Sequence, residues 1–182
     1  MNNTLLVKKM DTKYSSMQII TLTALRVVIG WHFLYEGMFK YIGGVWSSRS
    51  FLLNITGPLA SLFKMWAQSD KAIHYIDMLN IWGLILIGLC LFLGFFERPA
   101  KLLGITLLSL YYFTYPPLSS AAAGLYADGN YWIVDRNLIE IASLLVLASF
   151  PTGYRTGLDR FMANYPVRSF FNKITGKPLK NK

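Results

Sequence analysis

The chain of 182 residues has one cysteine, Cys90, and two histidines, His32 and His74. A lone thiol cannot close an intramolecular disulfide, and without a CxxC the chain alone is no dithiol oxidase. No Cys/His cluster has metal-ligand spacing, and no GxGxxG or P-loop run points to a nucleotide. His74 falls in an expected loop with no need to reach His32, so there is no bis-histidine haem signature. Charge is also scarce: Asp, Glu, Lys and Arg make up 15%, against about 25% in soluble domains. These shortages exclude a disordered chain, a disulfide scaffold and an ordinary soluble enzyme.

What is abundant is hydrocarbon. The AVILMFWYC set makes up 54% of the chain, and the mean hydropathy is +0.39. Residues 1–16 are polar and carry Lys8, Lys9 and Lys13. The first apolar run, 17–39, is too long for a signal core and lacks a small-residue cleavage site, which predicts an uncleaved spanning helix. A second span is expected over 79–96, its apolar core starting at Ile81 and closed by Glu97-Arg98-Pro99. A third, 100–115, ends in the aromatic turn YYFTY before Pro116-Pro117. Proline cannot continue a helix, and such aromatics suit the membrane interface. A fourth, 132–150, opens with Asp135, Arg136 and Asn137; those must lie at an interface or line a cavity. The outer loop 41–76 contains PLASLFKMWAQ, with Pro58 at a helix-start position and Leu59, Leu62, Phe63 and Trp66 at helical spacing. The tail 151–182 is basic with interleaved aromatics.

The reading is an all-α membrane protein: a four-transmembrane-helix bundle over 1–182, both termini cytoplasmic, with a short amphipathic helix in the first outer loop. Lys and Arg number 18 against 9 acids, a net +9. They flank apolar runs and form no stripe on a soluble face, so nucleic acid is not the expected partner. Twelve of the 18 fall in the expected inner segments, which sets the topology and favours anionic lipid.

The first span carries Arg26, His32, Glu36 and Lys40 within an arc of about 120° at 100° per residue. Charge inside a bilayer is costly unless paired or wetted, so this face must look into the bundle. His32 and Glu140 lie at similar expected depths, and Arg136 is four residues before Glu140 on the same face. Asp77, Asn80, Tyr111, Tyr112 and Tyr115 come from the outer ends of the second and third spans. Polar groups from all four helices therefore converge on the outer half of the membrane. Two readings remain open. Glu36 with Lys40, and Arg136 with Glu140, suit internal ion pairs that fix helix orientation. The tyrosines suit an interface belt, or else a pocket for a quinone-like ring.

Four segments resemble the DoxX/DoxD family of small four-helix membrane proteins. They are Arg26, Gly30, Phe33, Gly37 and Lys40 in the first span; the inner turn ERPAKLLGITLLSLYY; Asp135-Arg136-Asn137-Leu138 opening the fourth span; and the close PTGYRTGLDRFM with Gly153, Arg155, Leu158 and Asp159. TGYR stands where that family commonly has G-x-G-R. The long outer loop is more similar to the DoxD branch, which includes relatives of a thiosulfate:quinone oxidoreductase subunit. The resemblance implies a bacterial inner-membrane protein linked to sulfur or thiol redox chemistry. On that basis His32 exchanges a proton, Glu36 or Glu140 orients it, and Arg136 or Lys40 stabilises charge on the quinol oxygen. Arg26, Tyr112, Tyr115 and Asn137 complete the expected quinone site. With no flavin, haem or dithiol signature in the chain, a protein partner is expected to carry the other redox centre, and a homo-oligomer is left open. Distant relatives with the same plan are assembly chaperones or cargo receptors, which makes a non-enzymatic scaffold the alternative.

Overall fold

The computed structural model describes residues 14–55, 58–114, 130–131, 133–150 and 152–160. The N-terminal lysines, Tyr115, Pro116-Pro117 and the tail beyond Arg160 lie outside the described residues. The chain is mostly helical: α1 Ser16–Ile42, α2 Arg49–Leu53, α3 Ala60–Ala67, α4 Asp70–Leu93, α5 Glu97–Thr114, α6 Arg136–Ser149 and α7 Gly153–Thr156. A two-residue antiparallel ladder, β1 Asn130–Tyr131 with β2 Val134–Asp135, precedes α6.

Local chemistry sets the boundaries. Ser15 starts α1 with a capping box: its Oγ accepts from Gln18 N–H and its own N–H donates to Gln18 Oε1. Ser69 caps α4 by accepting from Ala72 N–H, and Asp70 suits the positive end of that helix. The second helix thus begins at Asp70, well before the expected 79, and absorbs the end of the expected outer loop. His74 lies on this helix, exposed, and not in a loop. Gly94, at φ +65°, ends α4 in the left-handed conformation. Glu97 therefore opens α5 and does not close the preceding helix; Pro99 sits in its first turn, where a missing N–H costs nothing. Asp135 caps α6 by accepting from Leu138 N–H at 2.8 Å. The last long helix consequently starts at Arg136, later than the expected 132.

α1 packs mainly along α4, and α5 along α6. One apolar core joins all four through Ile29 and Phe33, Leu84, Ile87 and Leu91, Ala100 and Leu108, and Leu144 and Leu147. The α1–α4 seam is antiparallel and built on glycine. A Cβ at Gly30 would meet the Phe92 backbone, one at Gly37 the Ile85 N at 2.8 Å, and one at Gly88 the Leu34 Cα at 2.7 Å. Only glycine lets the two backbones approach this closely. A smaller cluster of Leu52, Ile55, Ala67 and Ile73 packs α2 and α3 on the start of α4.

Two helices, α1 and α4, are long and apolar enough to cross a membrane. In each, 22% of the most apolar 18-residue window is buried, so most of that hydrocarbon faces outward, unlike a soluble core helix. Val28, Trp31, Tyr35, Leu86 and Leu89 are among the exposed side chains. This pair of helices points to membrane association. The 14 residues of α6 span only about 21 Å, against roughly 30 Å of bilayer hydrocarbon.

Candidate functional site

The glycine seam fixes α1 against α4, and the buried face of α1 (Arg26, Ile29, Gly30, Phe33, Gly37) sets which way the rest of the helix looks. His32, Glu36 and Lys40 flank that face, one turn apart, toward α6. Asp135 fixes the start of α6, and Glu140, four residues after Arg136, becomes one of its three buried side chains with Leu144 and Leu147.

The two helices meet in a polar contact. His32 Nδ1 and Glu140 Oε1 are 2.8 Å apart. The Glu140 side chain is 9% exposed and that of His32 37%, so the carboxylate is held inside while the imidazole borders open space. With Nδ1 engaged, Nε2 is the nitrogen left for a second partner. Both residues line a cavity of about 110 Å³, shared with Phe33, Glu36, Lys40, Leu84, Leu108, Tyr111, Arg136 and Asn137. That volume is below the roughly 300–1,000 Å³ of sites that enclose a whole drug-sized ligand. It accommodates one ring or several waters.

The rim is tied together. Lys40 Nζ lies 3.9 Å from Glu36 Oε2, donates to Asn80 Oδ1 at 3.3 Å, and sits 4.7 Å from the Trp46 ring centroid. Asn80 Nδ2 donates to Tyr111 Oη. Asn137 Nδ2 donates to Asp135 Oδ2 at 2.9 Å. Asp77, on the same helix as Asn80, accepts from the backbone N–H and hydroxyl of Ser48, which anchors the short helices beside the rim.

Six of the residues expected to form a site, His32, Glu36, Lys40, Arg136, Asn137 and Glu140, are therefore gathered around one cavity. Tyr112 is not among its lining residues; its hydroxyl donates to the Ile133 carbonyl at 2.9 Å. Tyr115 lies outside the described residues. Tyr111 takes the place expected of Tyr112. The available signal was the helical spacing of Gly104, Leu108 and Tyr111 on one face of the third span.

Arg26 belongs elsewhere. It is 1% exposed and sits at the opposite end of the four helices, where its Nη1 donates to Thr152 Oγ1 at 3.2 Å. The Thr152 hydroxyl donates in turn to Glu97 Oε1 at 2.7 Å. Glu97 also accepts the Gly153 N–H and pairs with Lys101. Lys101 Nζ reaches the Phe150 carbonyl at 3.3 Å, and Asp159 accepts the N–H groups of Phe96 and Glu97. This second network was missed in the sequence because Glu97 and Lys101 read as an exposed inner turn. Their i, i+4 spacing was the available signal. Two cations and two carboxylates share this region: Lys101 pairs with Glu97 directly, Arg26 reaches it through Thr152, and Asp159 accepts backbone N–H groups, so the network joins helices.

No group of three or more potential metal ligands occurs among the described residues. Comparison with family models, curated proteins and solved structures finds no match to the chain.

Proposed function

We propose that the chain is a four-helix integral membrane protein of the bacterial inner membrane, the membrane subunit of a quinone-linked oxidoreductase of the sulfur or thiol type. The observation that carries the reading is the His32–Glu140 contact at 2.8 Å on the wall of a cavity. An imidazole backed by a carboxylate is a proton-exchange pair. Ionisable groups within a membrane segment mark function more often than structure. The membrane placement is supported by α1 and α4 and by twelve of 18 basic residues in the segments assigned to the cytoplasm, with both termini there. The resemblance to DoxX/DoxD proteins points the same way.

The lining suits a quinone ring. Phe33, Leu84, Leu108 and Tyr111 supply apolar and aromatic walls, and His32, Lys40 and Arg136 supply polar groups at the rim. A cavity of about 110 Å³ takes the ring and leaves an isoprenoid tail outside. A quinone bound there would supply two-electron, two-proton redox chemistry, with the electrons coming from a redox centre on the partner. His32 would hold a proton for a ring oxygen, Glu140 positions the imidazole through Nδ1, and Arg136 or Lys40 would offset negative charge at that oxygen.

The test is quinone content. Protein purified in mild detergent should carry quinone in organic extracts, and H32A and E140Q should lose it while eluting as folded protein. Quinone-free wild type would remove the reading.

The scaffold alternative is favoured by α3 and the residue before it. Leu59, Leu62, Met65 and Trp66 are 38–58% exposed, an apolar face beside the rim that suits a protein or the membrane surface. A stable partner that co-purifies with wild type, H32A and E140Q alike would favour it.

A further inference from the structure

A second cleft, of about 340 Å³, opens where the first turns of α1 meet α7. Its walls differ in kind. Arg155, Arg160, Tyr154 and Ser16 form a cationic and hydrogen-bonding side, and Ile19 and Ile20 an apolar one. Among the described residues that line it there is no carboxylate. Ile20 is 63% exposed and the neighbouring Met17 72%, so the apolar wall continues outward along α1.

The cationic side is built on a fixed segment. Thr152 is bonded to Arg26 and Glu97, and the Thr156 and Thr23 hydroxyls are 2.8 Å apart. Leu158 N–H donates to the Leu93 carbonyl and Asp159 N–H to that of Gly94. The Arg98 guanidinium lies 5.6 Å from the Tyr154 ring centroid and brings a third arginine to the same region. Three independent ties therefore hold the segment that carries Arg155 and Arg160.

Guanidinium pairs fit phosphate oxygens, with parallel N–H donors in a planar fork. A soluble phosphate has no use for a wall of isoleucine; an amphiphile does. In sequence, the cleft is flanked by residues 1–13 and 161–182, which hold eight Lys or Arg and one acid, Asp11. Positive charge of this density is drawn to an anionic leaflet. We propose that this cleft is a binding site for an anionic phospholipid, with its phosphate against Arg155 and Arg160 and an acyl chain along Ile19 and Ile20. The proposal rests on the membrane reading above and is independent of the quinone.

The test uses the full chain in detergent, titrated with phosphatidylglycerol or phosphatidylcholine and followed by native mass spectrometry. Wild type should retain one phosphatidylglycerol in preference to phosphatidylcholine, and R155Q/R160Q should lower that retention about tenfold. R160Q alone, at an exposed position, should lower it in the same direction. K64Q/K71Q, which removes equal charge near the start of α4, at the far end of that helix from the cleft, should leave it unchanged. The proposal is overturned by equal retention of the two lipids. It is also overturned by unchanged retention in both arginine variants, or by equal loss in K64Q/K71Q. Displacement of the lipid by equimolar inorganic phosphate would identify a soluble phosphate ligand and also overturn it. Flotation with phosphatidylcholine liposomes separates the two levels: a chain that does not float contradicts the membrane reading, and one that floats without lipid preference contradicts only this site.

Discussion

Glu140 Oε1 lies 2.8 Å from His32 Nδ1, across the interface between α6 and α1. The carboxylate is the more buried member, so removing it leaves an imidazole nitrogen without its partner at the cavity wall. E140A should cost about 1–3 kcal/mol. E140Q keeps an oxygen acceptor in place and should cost clearly less. Thermal unfolding in detergent measures both, and equal melting of E140A and wild type would show that the contact contributes nothing.

The glycines of α4 make a sharper contrast. A methyl group at Gly88 would fall 2.7 Å from Leu34 Cα and 2.8 Å from the Gly30 carbonyl, whereas one at Gly83 meets nothing within 4 Å. G88A must push α1 and α4 apart, at about 1–3 kcal/mol or more. G83A should be neutral or stabilising by up to about 1 kcal/mol, through helix propensity alone. Similar melting temperatures for the two variants would contradict the close-packed seam.

Much of this architecture was legible in the sequence because its signals are local. Long apolar runs announce α1 and α4, and the polar stripe His32, Glu36, Lys40 follows from a 3.6-residue period. Partner choice was legible only in part. Arg26 shares the His32 arc of α1, but six positions of the same helix separate Arg26 from His32, about 9 Å along the axis, and an arc carries no depth. Its partners, Thr152 before α7 and Glu97 at the start of α5, come from distant segments whose approach depends on the left-handed Gly94 and on Asp159. The early start of α4 was hidden because Asp70, Asp77 and Asn80 lower the hydropathy of a stretch whose helix is set by the Ser69 cap.

The network at the Glu97 end should behave as a buried ionic unit. Glu97 and Lys101 are each 1% exposed. K101M removes the cation paired with Glu97, leaving its charge to the Thr152 hydroxyl and Gly153 N–H beside Asp159, and should cost about 3–5 kcal/mol. In an E97Q background the same substitution should cost less, since no stranded charge results. A double-mutant cycle measures the difference; additive losses would mean that the two residues do not interact.

Asp159 is 8% exposed and accepts from Phe96 N–H at 2.9 Å and Glu97 N–H at 3.2 Å. It caps α5 from a segment sixty-two residues away in sequence. D159A should cost about 1–2 kcal/mol and loosen the segment around α7 with it. Hydrogen exchange should rise at Phe96 and Glu97 and across 152–160, while the His32 end keeps its protection. Unchanged exchange at 152–160 would separate the cap from that segment.

The central claim is that the His32 cavity takes a quinone ring. Calorimetric titration of the detergent-solubilised protein with a short-chain benzoquinone tests it most directly. Wild type should bind one molecule per chain, H32A should weaken binding at least about tenfold, in keeping with loss of a charge-assisted hydrogen bond, and R155Q/R160Q should bind as wild type does. No saturable binding to wild type, or equal binding to H32A, would contradict the claim.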